Sequence, residues 1–295
     1  MNSPLSDTNS SFEALLHYLR LTHGFDFTGY KRPSLMRRVQ GRMQMLPVES
    51  YSDYIDYLKE QPQEFLHLFN TIDINVTKFF RDASTWDYVT AQVIPQIITN
   101  QAPDKPIRAW SAGCASGEET YTLAMVLAEA LGMEQFRSRV QIFGTDVDKE
   151  ALTQARQGSY LCTEAGRIPD DLLEKYFEPA NGRYVFRKDL RRRIIFSHHN
   201  LIEDPPMSKI DLLVCRNTMI YFNLDAQIRV LVRFHFSLKE NGFLFLGNTE
   251  IVPSAIATLF KPRNLQNRIF TKCPRDNLNS RLLVKALKSS QPRGK

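Results

Sequence analysis

Cysteine is scarce in this 295-residue chain: the four thiols, Cys114, Cys162, Cys215 and Cys273, are widely scattered with no C-x-x-C pair. Neither a zinc knuckle nor a disulfide framework is indicated, and reduced thiols fit a cytoplasmic protein. No apolar run approaches the roughly 20 residues that a membrane span needs, so no membrane insertion is expected. Met1 to Ser11 lacks the cationic start and apolar stretch of a secretory signal, which again points to the cytoplasm. Neither a G-x-G-x-x-G dinucleotide fingerprint nor a G-x-x-x-x-G-K-[ST] phosphate loop occurs, and no internal repeat is visible.

What is present is an ordinary globular balance, 43% hydrophobic and 24% charged, in a chain long enough for two domains or one domain with an appendage. The net charge of +6 suits nucleic acid or an acidic protein surface, and charge alone does not choose between them. From Phe12 to about Gln92 the apolar residues recur at helical spacing, beginning with Phe12, Leu15, Leu16 and Leu19. Pro33 marks a helix start, and Leu35, Val39, Met43 and Leu46 form one stripe that Pro47 ends. Lys31, Arg32, Arg37, Arg38 and Arg42 make a basic run beside it, either a solvated face or a docking surface. These patterns predict an all-helical domain over 1–92 and a Pro103/Pro106 linker over 93–106.

Beyond the linker, Ile107-Arg108-Ala109-Trp110 is expected as a strand, Glu118 to Leu131 as a helix, and Val140 to Thr145 as a second strand. Strand, glycine turn, helix and strand make a Rossmann-like unit. Ile210 to Cys215 and Phe243 to Leu246 add buried strands, and Arg268 to Lys272 an antiparallel edge, giving a mostly parallel sheet over 107–273. Tyr184-Val185-Phe186-Arg187 and Arg193-Ile194-Ile195-Phe196 are expected to pair through a Lys188-Asp189-Leu190 turn, as a small antiparallel β insertion at about 176–197. The basic stretch 274–295 is expected to be a flexible tail or a lone helix.

Several clusters could carry chemistry. Asn75-Val76-Thr77-Lys78-Phe79-Phe80-Arg81-Asp82 sets an amide, a hydroxyl, an arginine and a carboxylate around two phenylalanines. Gly113 and Gly117, after a strand and before a helix, would let the backbone approach a ligand closely. Glu118 and Glu119 at the helix start would repel a pyrophosphate but welcome a sulfonium or ammonium group, or simply complement the helix dipole. Asp146 ends the second strand, where a carboxylate can accept ribose hydroxyls; Asp148 competes, though it fits a cap for the helix beginning near Lys149 better. Arg216-Asn217 and Tyr221 follow a strand end, as does His198-His199-Asn200-Leu201, where Asn200 could read an adenine edge and Leu201 pack on its ring. The adjacent histidines diverge and lack a third ligand, so no metal is expected.

In order and context these motifs resemble the CheR family of S-adenosylmethionine-dependent methyltransferases, which esterify glutamates on bacterial chemoreceptors. The resemblance runs from about Phe12 to Lys272. It implies a helical N-terminal domain and an α/β class I methyltransferase domain, Rossmann-like, with a small inserted β-subdomain. By position it implies Asn75, Thr77 and Arg81 at the cofactor or the reacting carboxylate, Glu118 on the methionine part, Asp146 on the ribose, and Asn200, Leu201, Arg216 and Asn217 completing the pocket. Gly113 joins this cofactor set. Arg81 and Tyr221, the latter from an R-N-x-x-I-Y-F pattern, are the catalytic candidates, and Arg37, Arg38 and Arg42 the receptor-docking ones. S-adenosyl-L-homocysteine would be the product; chemoreceptor cytoplasmic helices, and a receptor C-terminal peptide at the β-subdomain, would be the partners, with no nucleic acid. Two departures are Thr120 in place of a frequent proline and Gly247-Asn248-Thr249-Glu250 in place of glycine-x-serine-glutamate. The alternatives are a methyltransferase for RNA or a small molecule, and a non-catalytic S-adenosylmethionine-sensing docking module.

Overall fold

The computed structural model describes residues 4–72 and 75–274, so the tail is, from residue 275 on, outside the described residues. The chain forms two units, one of Met1–Asn75 with Tyr221–Ala226, the other of Val76–Ile220 with the residues from Gln227 onward.

Four helices build the first unit: α1 (Pro4–His23), α2 (Arg32–Met43), α3 (Tyr51–Glu60) and α4 (Glu64–Ile72). Their three- and four-residue apolar spacing turns Phe12, Leu15, Leu16 and Leu19, then Leu35, Val39 and Met43, then Tyr54 and Leu58 to the interior, where all are buried. Pro33 sits in the first turn of α2, where its missing N–H leaves no bond unmade. A capping box starts α3, Asp53 N–H donating to Ser50 Oγ and Ser50 N–H to the Asp53 carboxylate. The stretch Tyr221–Ala226 joins these helices through the main chain. Lys31 N–H donates to the Tyr221 carbonyl at 2.9 Å, Asn223 N–H donates to the Gly29 carbonyl at 2.8 Å, and Tyr30 bridges Phe222 in antiparallel fashion.

In the second unit the helices are α5 (Ala83–Tyr88), α6 (Ile94–Thr99), α7 (Glu118–Leu131), α8 (Met133–Arg139), α9 (Lys149–Gln157), α10 (Cys162–Ala165), α11 (Asp170–Tyr176), α12 (Lys188–Arg191) and α13 (Leu224–Ser237), which begins in the preceding stretch. The strands are β1 (Ile107–Ala112), β2 (Val140–Asp146), β3 (Ser159–Leu161), β4 (Phe177–Ala180), β5 (Arg183–Phe186), β6 (Ile194–His198), β7 (Ile210–Cys215), β8 (Leu238–Leu246), β9 (Phe260–Asn264) and β10 (Ile269–Lys272). Seven form one sheet in the order β6-β2-β1-β7-β8-β10-β9, parallel except where β10 meets β8 and β9. β7 is buried at every residue, as expected of a central parallel strand covered on both faces.

Four sequence expectations change. The break between units falls at Asn75/Val76 rather than within 93–106, because Phe79, Trp86, Val89, Val93, Ile94 and Ile97 bury themselves in the same core as Ile107, Ala109 and α7. Ile194–His198 does not pair with the Tyr184 strand; it is the outer parallel strand of the large sheet, on β2. The small antiparallel sheet is β3-β5-β4, and residues 188–191 are a helical turn rather than a hairpin. Finally, β10 is not an edge, since β9 covers it. β9 carries exposed Lys261, Pro262 and Arg263, residue types that discourage further pairing at an edge.

Candidate active site

β1 lies between β2 and β7, and the chain runs outward from it in both directions, so the carboxyl ends of β1 and β7 flank the topological switch point where open α/β sheets bind ligands. After β1 the chain turns sharply. Gly113 and Cys114 N–H groups both donate to the Thr145 carbonyl at the end of β2, at 2.8 and 3.0 Å. Gly113 (φ 76°), Ala115 (φ 47°) and Gly117 (φ 98°) are all left-handed. A Cβ on Gly117 would stand 3.0 Å from Ala155 Cβ and 3.1 Å from the Tyr160 hydroxyl, so this glycine serves the packing of α7 against its neighbours. On Gly113 a Cβ would meet Thr218 Oγ1 at 2.1 Å. Thr218, from the loop after β7, packs into the space that glycine leaves at 113.

Four carboxylates surround this turn. Asp146 is 6% exposed and accepts the N–H groups of Ala115 at 2.8 Å and Asp148 at 3.0 Å, clamping the ends of β1 and β2 together. Burial pushes its carboxyl up, against the pull of those two N–H bonds. Asp148 caps α9, accepting from Glu150 and Ala151 N–H, the structural role its position suggested. Glu118, buried in the first turn of α7, accepts a hydrogen bond from Ser116 Oγ at 2.7 Å, and burial pushes it up too. Glu119 turns the other way, accepting from Ser111 Oγ at 2.9 Å and lying 3.6 Å from Arg216.

Arg216 is a buried cation, its side chain 1% exposed, hydrogen-bonded to Asp82 at 2.5 Å and standing 4.7 Å from the Phe245 ring centroid. Its guanidinium ties the Arg81–Asp82 turn to the end of β7, a structural use that the sequence did not foretell. Glu250 was likewise missed as a site residue. Its carboxylate accepts the N–H groups of Asn217, Thr218, Met219 and Gly247 between 2.7 and 3.1 Å, fixing the whole loop after β7. Glycine at 247 is what admits this carboxylate, since a Cβ there would lie 2.9 Å from Glu250 Oε2. Asn200 Oδ1 accepts from Ile202 N–H and its amide donates to Glu203, so this side chain shapes its own turn, with Leu201 buried behind it. His199 is buried, with Nε2 3.1 Å from the Pro205 carbonyl, and burial pulls its imidazole down. Burial pushes the thiols of Cys114 and Cys215 well up, so neither is a nucleophile at neutral pH.

Arg81 stands on a strained turn between Phe80 (φ 47°) and Asp82 (φ 60°), conformations that bulky residues adopt only when their surroundings enforce them. Phe79 supplies that enforcement, packing edge-on against Tyr160 and Phe177. Among the described residues Arg81 makes one hydrogen bond, to the Val76 carbonyl at 3.2 Å. Thr77 is half-exposed on the same loop; Asn75 is half-buried and belongs to the first unit, as does Tyr221.

The basic run of α2 is only partly what its sequence suggested. Arg42 forks onto the buried Glu64 carboxylate at 2.8 and 2.7 Å, which also accepts from Tyr54. Arg38 donates to the Thr71 and Ile72 carbonyls at the end of α4 and stacks over Tyr221, 5.1 Å from its centroid. Arg37 alone of the three docking candidates is exposed, with no ion pair among the described residues.

The switch point accordingly suits a cationic ligand rather than a phosphate. Its first helical turn holds a buried carboxylate, and Asn217 Oδ1 at the end of β7 is a buried acceptor with no hydrogen-bond partner. Such a switch point is compatible with the ligand chemistry of an α/β methyltransferase. The family model described as CheR methyltransferase, SAM binding domain, matches residues 75–269, and the one described as CheR methyltransferase, all-alpha domain, matches residues 10–72. The chain belongs to the CheR methyltransferase family, and S-adenosylmethionine is its cofactor.

It is similar to an uncharacterized 104.1 kDa protein of Rhodobacter capsulatus, 36% identical over 236 residues, which are 80% of this chain and 25% of that one. Chemotaxis protein methyltransferase Cher2 of Pseudomonas putida is 30% identical over 83% of this chain and 92% of its own. Chemotaxis protein methyltransferase 2 of Vibrio cholerae is 30% identical over 86% of this chain and 89% of its own. The chain thus spans about a quarter of the Rhodobacter relative and about nine-tenths of the other two. Among the described residues no helix is long and apolar enough to cross a membrane.

Proposed function

We propose that the chain methylates glutamate side chains of chemoreceptors, forming carboxyl methyl esters in the cytoplasm. The observation that carries this reading is Arg81, a half-exposed guanidinium held on a rigid, strained turn with one hydrogen bond of its own among the described residues. Such a group orients a carboxylate. When bound, S-adenosylmethionine supplies a methyl group on a cationic sulfur, with a neutral thioether as leaving group. Glu118, Asp146 and Asn217 are the groups that would hold it. A substrate glutamate, of ordinary pKa near 4.3, is already ionised at neutral pH, so the chain need supply no general base. Its residues contribute position: Arg81 aligns the carboxylate, and alignment can supply several kcal/mol. Arg81 must orient without neutralising, since a tight ion pair would blunt the nucleophile.

Docking falls to the exposed Arg37 and its neighbour Lys31, which suit an acidic receptor helix. A receptor C-terminal peptide is assigned to the small sheet, whose outer strands β3 and β4 each pair with β5 on one side only and can accept an added strand.

The test uses methyl-labelled cofactor with the cytoplasmic fragment of a chemoreceptor. Carboxyl methyl esters hydrolyse in mild alkali and release volatile methanol, whereas N-methyl groups and methylated nucleobases do not. Volatile counts that disappear with Arg81→Ala, in a variant that still binds cofactor, support the proposal. Alkali-stable label, or label that follows nucleic acid, overturns it.

A further inference from the structure

We propose that Thr122 and Asp82 are positioning residues that lock the Arg81 turn to the start of α7, the helix that also carries Glu118. This rests on the reading above, in which Arg81 orients the reacting carboxylate. All the residues concerned lie in the second unit. The turn is strained on either side of Arg81, with Phe80 at φ 47° and Asp82 at φ 60°, and each of these flanking residues is fastened to a different side chain. Arg81 itself makes only a local bond, to the Val76 carbonyl at 3.2 Å, so its placement depends on those flanks.

Phe80 is held by a hydroxyl. Its N–H donates to Thr122 Oγ1 at 3.2 Å, and that hydroxyl donates in turn to the Glu118 carbonyl at 2.8 Å. A threonine inside a helix commonly spends its hydroxyl on the carbonyl one turn back; here the same oxygen, on a fully buried residue, also takes a donor from outside the helix.

Asp82 is held by a charge. It stands at the N-cap of α5, where an aspartate ordinarily accepts from the helix's own N–H groups, yet its side chain makes no capping bond. It accepts instead from Arg216 Nη2 at 2.5 Å. Arg216, its side chain 1% exposed, is balanced on the other side by Glu119 at 3.6 Å, and Glu119 accepts from Ser111 Oγ at 2.9 Å. Arg216 Nε is buried with no hydrogen-bond partner among the described residues, so the two carboxylates are what stabilise this cation. Glu118, Glu119 and Thr122 all belong to the first turns of α7. The carboxylate assigned to the cofactor and the guanidinium assigned to the substrate are therefore referred to one rigid element.

Thr122→Val removes the hydroxyl and keeps the volume, Thr122→Ser keeps the hydroxyl and loses a methyl, and Asp82→Asn keeps the shape and removes the charge facing Arg216. With methyl-labelled cofactor and a chemoreceptor cytoplasmic fragment, Thr122→Val and Asp82→Asn should each lower kcat about 10- to 100-fold, with KM for the fragment and affinity for S-adenosylhomocysteine within about threefold of wild type. Thr122→Ser should keep wild-type kcat despite its lost methyl, which a merely structural role would not allow. The double variant should be little worse than either single one, because one released flank already frees the turn.

A second measurement needs no substrate. Hydrogen exchange of a peptide covering residues 79–82, read by mass spectrometry, should be several-fold faster in Thr122→Val and Asp82→Asn than in wild type, and unchanged in Thr122→Ser. Full kcat in Thr122→Val or Asp82→Asn, equal losses in Thr122→Ser and Thr122→Val, a fall in S-adenosylhomocysteine affinity that matches the fall in kcat, or unchanged exchange would each overturn the proposal. Asp82 is partly exposed, so Asp82→Asn decides the matter even where Thr122→Val fails to fold. A wild-type protein that places no alkali-labile methyl on the receptor fragment defeats the substrate reading, while the exchange rates still decide whether the Arg81 turn is clamped.

Discussion

Glu118→Gln should make the chain more stable and a poorer cofactor binder. Glu118 is 5% exposed, accepts from Ser116 Oγ at 2.7 Å, and has its carboxyl pushed up by burial. Glutamine keeps an acceptor for Ser116 and removes the charge that burial penalises. Without ligand the variant should gain about 1 kcal/mol, the scale of one polar interaction, or a rise of about 2–4 °C in Tm. The pH dependence follows from linkage. A carboxyl whose folded pKa is raised holds its proton more tightly in the folded state, so wild-type stability falls as pH rises from the ordinary value of 4.5 through the folded pKa. The glutamine advantage should therefore vanish below that ordinary value, grow through this window and stay constant above it. Cofactor binding should move the opposite way. Loss of a charge-assisted contact costs about 1.5–3 kcal/mol, which is about 10- to 150-fold in Kd. If Glu118 holds the ammonium of the methionine part, S-adenosylmethionine and S-adenosylhomocysteine weaken alike; if it faces the sulfonium, only the former weakens. Urea unfolding across pH, with calorimetry for both ligands, reads all of this. A stabilised variant with unchanged affinities would reduce Glu118 to a partner of the helix dipole, and a destabilised one would refute the burial argument itself.

Three further outcomes are expected. Asp148→Ala should cost about 0.5–2 kcal/mol in urea unfolding through loss of the α9 cap, and leave S-adenosylhomocysteine affinity within about twofold, whereas Asp146→Ala should weaken that affinity by about 1–3 kcal/mol; the reverse pattern would transfer the ribose role to Asp148. Arg42→Ala strands the buried Glu64 carboxylate and should destabilise by about 2–3 kcal/mol, less than a fully buried pair because Arg42 is partly exposed. Against burial, Arg42 and Tyr54 hold the Glu64 pKa below its ordinary 4.5, so the wild-type contribution is complete above that pH and is lost as pH falls through the folded value; the variant's deficit should therefore shrink in acid, measured by the same titration. Glu250→Gln replaces one carboxylate oxygen by an N–H donor facing backbone donors; it should destabilise by about 2–4 kcal/mol and weaken cofactor binding, and full cofactor affinity in the variant would show that the loop after β7 holds its shape without it.

Local signals in the sequence carried far. Helical spacing placed α1 and α2, the glycine turn placed the entry to α7, and the motif order placed the chain among its relatives, because each depends on neighbours within one or two turns of chain. Asp148 as a helix cap was equally legible, since a cap acts within three residues of its own position. The strand at Ile194–His198 was recognised as a strand but given to the wrong sheet. Its alternation is compatible with either partner, and pairing with β2, some fifty residues away in sequence, is decided only when α9, α11, α12 and the small sheet have been folded between them.

Charge showed the limit most clearly. Counting cations along α2 could not reveal that Arg42 meets Glu64, that Arg38 meets the end of α4 and the ring of Tyr221, or that Arg216 is enclosed by Asp82, Glu119 and Phe245. The residue types and their order determined which chemistry the chain could perform. Which of those charges remain available to a ligand was decided by the tertiary structure alone, because burial makes an unpaired charge costly and the partners that relieve it come from elements far apart in the chain.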